Sequence, residues 1–364
     1  MEAKKELLGL QMEEMEELMQ SLGEPSFRGR QVYKWIYQKG INSFYEMSDL
    51  PKHLRTKLDE HCVISMPRLL KQRVSHDGTR KYLLELKDKK RIESVIIPQS
   101  YEKEDKYTLC LSTQVGCPVG CAFCATGKSG FQRNLEAYEI VGQLLSSRRE
   151  LSRKLRSNAE SLITSVVYMG MGEPLLNYDA TLKSIHILNE HRGINLGQRH
   201  ITISTAGEVN GIKRLARENM QITLAVSLHA PNDVLRNKLV PLNRKYNLAV
   251  LMDAIEEYMS INNRRVTIEY VLLDQINNSE KEARELISLI KPLNCHVNLI
   301  PYNEVKGLPF KRPSRLSIQS FYRILLEAGM PVTLREERGK DIEAACGQLA
   351  ARKEHKITSA GNSS

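Results

Sequence analysis

The chain has no run of about 18 apolar residues, so no stretch of it reads as a helix long enough to cross a bilayer. No apolar core follows Met1-Glu2-Ala3-Lys4-Lys5-Glu6, so no secretory leader is expected there. The seven cysteines are an odd number in a 364-residue chain, which argues against a disulfide scaffold. A cytoplasmic protein with reduced thiols is expected. Tryptophan is nearly absent too, with Trp35 alone. What is present is basic charge: 53 Lys and Arg against 43 Asp and Glu, a net +10 with a pI near 9.1. That balance suits a polyanionic partner, although a solvated basic surface explains it equally well. A hydrophobic fraction of 41% supplies a sizeable core, and the length accommodates one large domain plus a small one.

Three of the cysteines are crowded into Cys117-Pro118-Val119-Gly120-Cys121-Ala122-Phe123-Cys124, a CxxxCxxC spacing in a glycine-rich loop. Thiolates this close suit a soft metal centre. A [4Fe–4S] cube takes four ligands, so three local cysteines leave one iron open to a substrate or cofactor. A structural zinc site would need a fourth protein ligand and more often uses paired CxxC. Three unmodified thiols are the remaining alternative.

Residues 1–63 read as a small helical module. Leu7, Leu8, Leu10, Met12, Met15, Leu18 and Met19 predict one helix over Met1 to Ser21, stopped by Gly23-Glu24-Pro25. A second helix begins at Phe27 and mixes Arg28, Arg30 and Lys34 with Tyr33, Trp35 and Ile36; a third follows Leu50-Pro51. Its basic, aromatic helix could grip a nucleic-acid backbone or simply form the module's core. Residues 64–98 predict a β linker, with a hairpin at Ser75-His76-Asp77-Gly78 and a third strand, 91–98, that carries Glu93 in an apolar run. By pattern alone Glu93 faces solvent.

Residues 99–349 predict a β–α alternation. Strands are expected at 107–112, 162–169, 200–204, 222–228, 265–273, 295–300 and 331–335, and helices at 135–150, 178–190, 209–218, 248–260, 279–291 and 314–328. About six βα units imply an α/β fold with a parallel sheet in an open, partial barrel. Its chemistry would sit on the loops after the strands. The cysteine loop, Met169 to Pro174, Ser204 to Gly207, Ser227 to Pro231, Pro301-Tyr302-Asn303 and Ala344 to Gln348 all fall on that face. Ser146 to Ser161 reads as a long basic linker, and residues 350–364 as a disordered tail.

These motifs resemble the radical S-adenosylmethionine (SAM) superfamily and, within it, the RlmN/Cfr family of RNA adenosine methyltransferases. The resemblance runs from about Phe27 to Leu349. It rests on Cys110 to Cys117, Phe123 to Gly127, Gly130 to Leu135, Gly170 to Asn177, Ser227 to Asp233, His296 to Asn303 and Asp341 to Leu349. It implies a partial (β/α)6 barrel with an N-terminal domain related to helix-hairpin-helix modules. Cys117, Cys121 and Cys124 would hold one [4Fe–4S] cluster, with SAM on the fourth iron. Gly172 and Glu173 would hold the SAM ammonium; Ser204, Ser227, Leu228, His229 and Asn303 would make its other contacts. Two SAM molecules are implied per turnover, one as methyl donor and one as radical source.

The resemblance also implies that Cys346 carries the methyl group and that Cys110 resolves a covalent RNA adduct by forming a disulfide with it. Glu93 matches the family's proton acceptor. By its surroundings alone, Cys110 reads as a core residue of a buried strand, and Cys62 and Cys295 read as structural. The implied substrates are 23S rRNA and tRNA, methylated at adenosine C2, with an external one-electron reductant such as flavodoxin or ferredoxin; a monomer is expected. The alternatives are the C8-methylating antibiotic-resistance branch of the family and an RNA-binding protein with a structural metal and no turnover. Gly130-Phe131-Gln132-Arg133-Asn134-Leu135 and the Gly-Glu-Pro-Leu run favour the C2 branch. Ala206, where many family members have Ser or Thr, and Glu304-Val305 after Asn303 depart from the pattern.

Overall fold

The computed structural model describes residues 4–99, 106–155, 162–336 and 338–351. The first apolar stretch does not make one helix. Lys5–Glu6 (β1) pairs in parallel with Cys62–Val63 (β2), and the helix α1 spans Met12–Ser21. The physical reason is at Gln11. Its amide donates to Glu14 at 2.7 Å in a reciprocal cap, which fixes the helix start there. Just before it, Gly9 has φ +96°, and a Cβ there would meet the Tyr138 backbone nitrogen at 2.7 Å. Leu7 and Leu8 are therefore anchors in an irregular entry, both buried.

Helices α2 (Phe27–Tyr37) and α3 (Lys52–His61) complete the N-terminal group. Tyr33, Ile36 and Tyr37 are buried, while the Trp35 ring lies partly exposed under Lys39. The Tyr37 hydroxyl accepts from the Gly9 amide and donates to the Leu10 carbonyl, each at 2.9 Å. One continuous apolar core joins these helices to the rest of the chain.

The main sheet has ten strands. Its antiparallel edge is β3 (Arg68–Val74), β4 (Arg80–Glu85) and β5 (Arg91–Pro98), with the expected turn at Asp77-Gly78. β5 pairs directly with β6 (Tyr107–Cys110), so this hairpin extends the sheet and is not a separate linker. A small hairpin follows, β7 (Gln114–Gly116) and β8 (Phe131–Asn134), enclosing the cysteine loop and the short helix α4 (Ala125–Lys128). Next come α5 (Ala137–Leu155), β9 (Ile163–Tyr168), α6 (Tyr178–Asn189), β10 (Ile201–Thr205), α7 (Val209–Ala216) and β11 (Thr223–Ser227). After them run α8 (Asp233–Leu239), α9 (Leu248–Asn262), β12 (Val266–Leu272), α10 (Glu280–Ile290), β13 (Cys295–Pro301), α11 (Arg315–Glu327) and β14 (Val332–Leu334).

Strands β6 and β9 to β14 are parallel and neighbour one another in chain order, giving an open α/β barrel. The seventh, β14, is only three residues long, so six full βα units remain a fair description. The basic stretch after Ser146 is not a linker as far as Leu155, because α5 runs on through it. Apolar residues at 140, 141, 144, 145 and 151 keep one face buried through the Arg-rich part. The remainder of that stretch, and residues 352–364 of the expected tail, lie outside the described residues. Ala350 is part of the fold: its amide donates to Glu93 at 2.9 Å.

Candidate active site

The cysteine loop is held by its ends. Gly116 has φ +79°, and a Cβ there would lie 1.6 Å from the Gly130 carbonyl oxygen. Only glycine lets the two ends of the loop close this tightly. The Ala122 amide donates to the Leu239 carbonyl at 3.0 Å, and the Tyr302 hydroxyl to the Phe123 carbonyl at 3.2 Å. Cys117, Cys121 and Cys124 are half-buried and line one cavity of about 170 Å³. Burial pushes the Cys117 thiol up to about 12 and Cys121 well above its ordinary value, and each neighbouring thiol adds to the shift. Ionising Cys117 and Cys121 is therefore favoured by a cationic centre beside them. Among the described residues no three His, Cys, Asp or Glu side chains converge on a single ion. Three thiols on one cavity supply the soft donors that an iron–sulfur cluster takes.

Across that cavity stand Gly172, Glu173, Ser204, Ser227, His229 and Asn303. Glu173 is buried; its carboxylate accepts from the Ala206 amide at 2.7 Å and from Leu175 at 3.1 Å. Burial outweighs those bonds and lifts its carboxyl to about 7. The departure at Ala206 is therefore harmless, since its backbone makes the contact. Ser204 and Ser227 bring their hydroxyls within 3.4 Å of each other.

His229 has φ +60°, a conformation rare outside glycine, and is buried edge-on against Phe123 at 4.9 Å. The Val271 amide donates to its Nδ1 at 3.1 Å. Burial, and secondarily Arg236, push its pKa down to about 3, so the ring is neutral and Nε2 carries the proton. The fixed tautomer makes His229 a donor toward a ligand. Two buried acceptors that line the cavity, Asn303 Oδ1 and Glu269 Oε2, find no hydrogen-bond partner among the described residues. Thiols, two buried carboxylates and an orphaned amide oxygen around one space fit an iron–sulfur cluster with a polar, ammonium-bearing cofactor beside it.

A second cavity of about 240 Å³ adjoins the first and is lined by Cys110 and Cys346. Both cavities are also lined by Cys124, Met169, Asn303, Arg335 and Cys346. Cys110 is buried, which pushes its thiol up to about 12. Cys346 stands at the mouth, open to solvent; the protein walls around it raise its thiol while Arg335 opposes that shift.

Two expected residues are placed differently. Leu228 lines neither cavity; its side chain is in the core and its carbonyl accepts from Arg236 Nε at 3.0 Å. Glu93 is buried rather than solvent-facing, pairs with Lys81 at 3.3 Å, and lines a third cavity beyond the Cys346 loop. Cys62 and Cys295 are buried away from both cavities.

Sequence reasoning missed Arg236, Asn277, Glu269 and Arg335. Asn277 is fully buried and accepts from the Leu273 amide while donating to the carbonyls of His229 and Val271, so it sets the His229 loop. The available signal was weak: an Arg within a short polar helix, and a Glu among apolar strand residues.

Residues 111–287 match the family model of the radical SAM superfamily, and residues 5–64 match that of the ribosomal RNA large subunit methyltransferase N-terminal domain. Fold and site thus define a radical SAM enzyme. A solved radical SAM methyltransferase from Sphaerobacter thermophilus superposes with a TM-score of 0.89 at 45% identity, covering 96% of this chain and 100% of that one. The probable dual-specificity RNA methyltransferase RlmN of Syntrophomonas wolfei is 63% identical over 346 residues, 95% of this chain and 97% of that protein. The dual-specificity RNA methyltransferase RlmN of a Marinomonas species is 44% identical over 94% of this chain and 92% of its own length. The chain belongs to the RlmN family of radical SAM RNA methyltransferases. Among the described residues no helix is long and apolar enough to cross a membrane.

Proposed function

We propose that the protein methylates C2 of an adenosine in 23S rRNA and tRNA. The observation that carries this reading is that Cys110 and Cys346 line one cavity, which adjoins the cavity lined by the three loop cysteines. Cys117, Cys121 and Cys124 hold a [4Fe–4S] cluster. Glu173, with the Gly172 backbone, takes the ammonium of SAM. Ser204, Ser227, His229, Asn303 and the backbone at Leu228 orient the rest.

The Cys346 thiolate attacks the methyl carbon of one SAM; a sulfur–carbon bond forms and S-adenosylhomocysteine leaves. When bound, the cluster supplies the electron that cleaves a second SAM to the radical that takes a hydrogen atom from that S-methyl group. Carbon–carbon bond formation at C2 is then directed by where Cys346 holds its methylene. The adenine C2 carbon is not nucleophilic, so a direct polar transfer is closed to it. Glu93 accepts the C2 proton. The unpaired electron left on the adduct would pass back to the oxidised cluster. The Cys110 thiolate attacks the Cys346 sulfur, the sulfur–carbon bond breaks as a disulfide forms, and the freed carbon takes up a proton as the methylated base leaves. The disulfide is reduced again from outside. The target adenosine sits in a loop, where it can leave its stack. Flavodoxin or ferredoxin serves as electron donor, and the enzyme works as a cytoplasmic monomer.

Anaerobic reconstitution followed by nucleoside analysis of rRNA and tRNA tests this. A brown protein that makes 5′-deoxyadenosine and 2-methyladenosine is expected. 8-Methyladenosine would assign the C8 branch, and a colourless zinc protein would remove the radical reading.

A further inference from the structure

The loop that carries Cys346 is tied at both ends to one buried ion pair. Upstream of the cysteine, the Glu343 carbonyl accepts from Lys81 Nζ at 2.9 Å. Downstream, the Ala350 amide donates to Glu93 Oε2 at 2.9 Å. Lys81 and Glu93 themselves meet at 3.3 Å, with side chains only 8% and 10% exposed. They sit on neighbouring antiparallel strands, β4 and β5, of the sheet edge. The loop between the two ties is bent: Glu343 and Gly347 have φ of +55° and +81°. Its middle is held by the Ala125 amide, which donates to the Gly347 carbonyl at 2.7 Å, and by Thr126 Oγ1, which donates to the Leu349 carbonyl at 2.6 Å; the ion pair adds a tie at each end.

We propose that Lys81 is a positioning residue: with Glu93 it forms a clasp that closes both ends of the Cys346 loop and so places its sulfur. This rests on the reading of Cys346 as the methyl carrier. The chemistry requires such a clasp, because Cys346 must present its sulfur first to SAM and then to the base. A buried ammonium has three donors and can hold a carbonyl and a carboxylate together, which a neutral side chain of similar length cannot. The clasp also engages Glu93 through both oxygens, one to Lys81 and one to Ala350. Taking a proton from the base therefore competes with holding the loop, so the arrival of the base loosens the clasp.

Hydrogen exchange on the reconstituted full-length enzyme tests this with Lys81→Met and Lys81→Arg. Losing one charged bond raises local opening by roughly tenfold or more. Lys81→Met is expected to speed exchange across 343–350 by that factor, leave 266–272 unchanged, and lower kcat with little change in the KM for RNA. Lys81→Arg, which keeps a cation, is expected to restore both. Unchanged exchange across 343–350 in Lys81→Met overturns the clasp, as does faster exchange throughout the chain. Exchange is read independently of turnover. A wild-type protein that makes no methylated RNA would sink the methyl-carrier reading and leave this measurement standing.

Discussion

Arg236 donates to the Ala206 carbonyl at 2.7 Å from a fully buried position. The same guanidinium donates to the carbonyls of Leu228 at 3.0 Å and Ser227 at 3.3 Å, and to Asn243 Oδ1 at 2.9 Å. It therefore ties the end of β10 to the end of β11, the two loops that face the cofactor cavity. Burial pushes its own pKa down to about 10, still far above neutrality, so it stays charged.

Removing that group leaves several buried carbonyls without a donor. Each costs roughly 1–3 kcal/mol, and partial relaxation keeps the sum near 2–4 kcal/mol. Arg236→Met is expected to lower Tm by several degrees and to weaken SAM binding more than tenfold. Calorimetry on the reconstituted variant checks both. Unaltered SAM affinity in a destabilised protein would show that the guanidinium supports the core and not the site.

Glu173 gives a pH dependence with a definite sign. Its carboxyl is lifted from 4.5 to about 7 by burial. The folded chain therefore binds this proton more tightly than the unfolded chain does, and this group's contribution to stability falls as pH rises from about 4.5 through 7. Cofactor affinity runs the other way. With the carboxylate in its proposed role of holding the SAM ammonium, SAM binding is expected to weaken roughly tenfold per unit as pH drops below about 7. Titration calorimetry across that range reads it, and Glu173→Gln should flatten the curve. A flat curve in the wild type would remove Glu173 from ammonium binding.

Most of the barrel was legible because its strands are apolar runs and its helices are amphipathic, so burial on each face leaves a period in the residues. The site was legible where a residue type does one thing: three thiols in a loop, a carboxylate after a strand. Position in space was not legible. Glu93 reads as an exposed strand residue, yet Leu83 opposite it and the Cys346 loop above it bury its side chain. Arg236 carries no signal of its own in the sequence, and only the folded loops show the carbonyls that receive it. The sequence extends the first helix too far because Leu7, Leu8 and Leu10 share its apolar character. The Gln11–Glu14 cap sets the helix start, and Gly9 just before it packs against Tyr138, in a helix more than a hundred residues away.

Gly116→Ala should cost the cluster and little else. Its Cβ would collide with the Gly130 carbonyl at 1.6 Å, at a φ of +79° that alanine rarely adopts. The β7–β8 hairpin would have to open, spreading the loop it closes. Iron and sulfide per chain after anaerobic reconstitution should fall by more than half while the far-ultraviolet circular dichroism is kept. Full cluster loading in this variant would mean that the hairpin does not set the spacing of the three thiols.

Cys110 differs from Cys346 in exposure, which orders their reactions under the proposed roles. Cys110 is buried and its thiol is pushed up to about 12, whereas Cys346 stands open to solvent. A protonated, enclosed thiol is a poor nucleophile, so Cys110 stays idle until a sulfur is brought against it. In the resting protein iodoacetamide should therefore label Cys346 well before Cys110, read by peptide mass spectrometry. Cys110→Ala should still methylate itself at Cys346 and couple to the base, then stop, because nothing remains to attack the Cys346 sulfur. A nuclease-sensitive, slow-migrating protein–RNA band is expected in that variant and should be absent from Cys346→Ala. Free methylated RNA released by Cys110→Ala at the wild-type rate would show that some other group resolves the adduct.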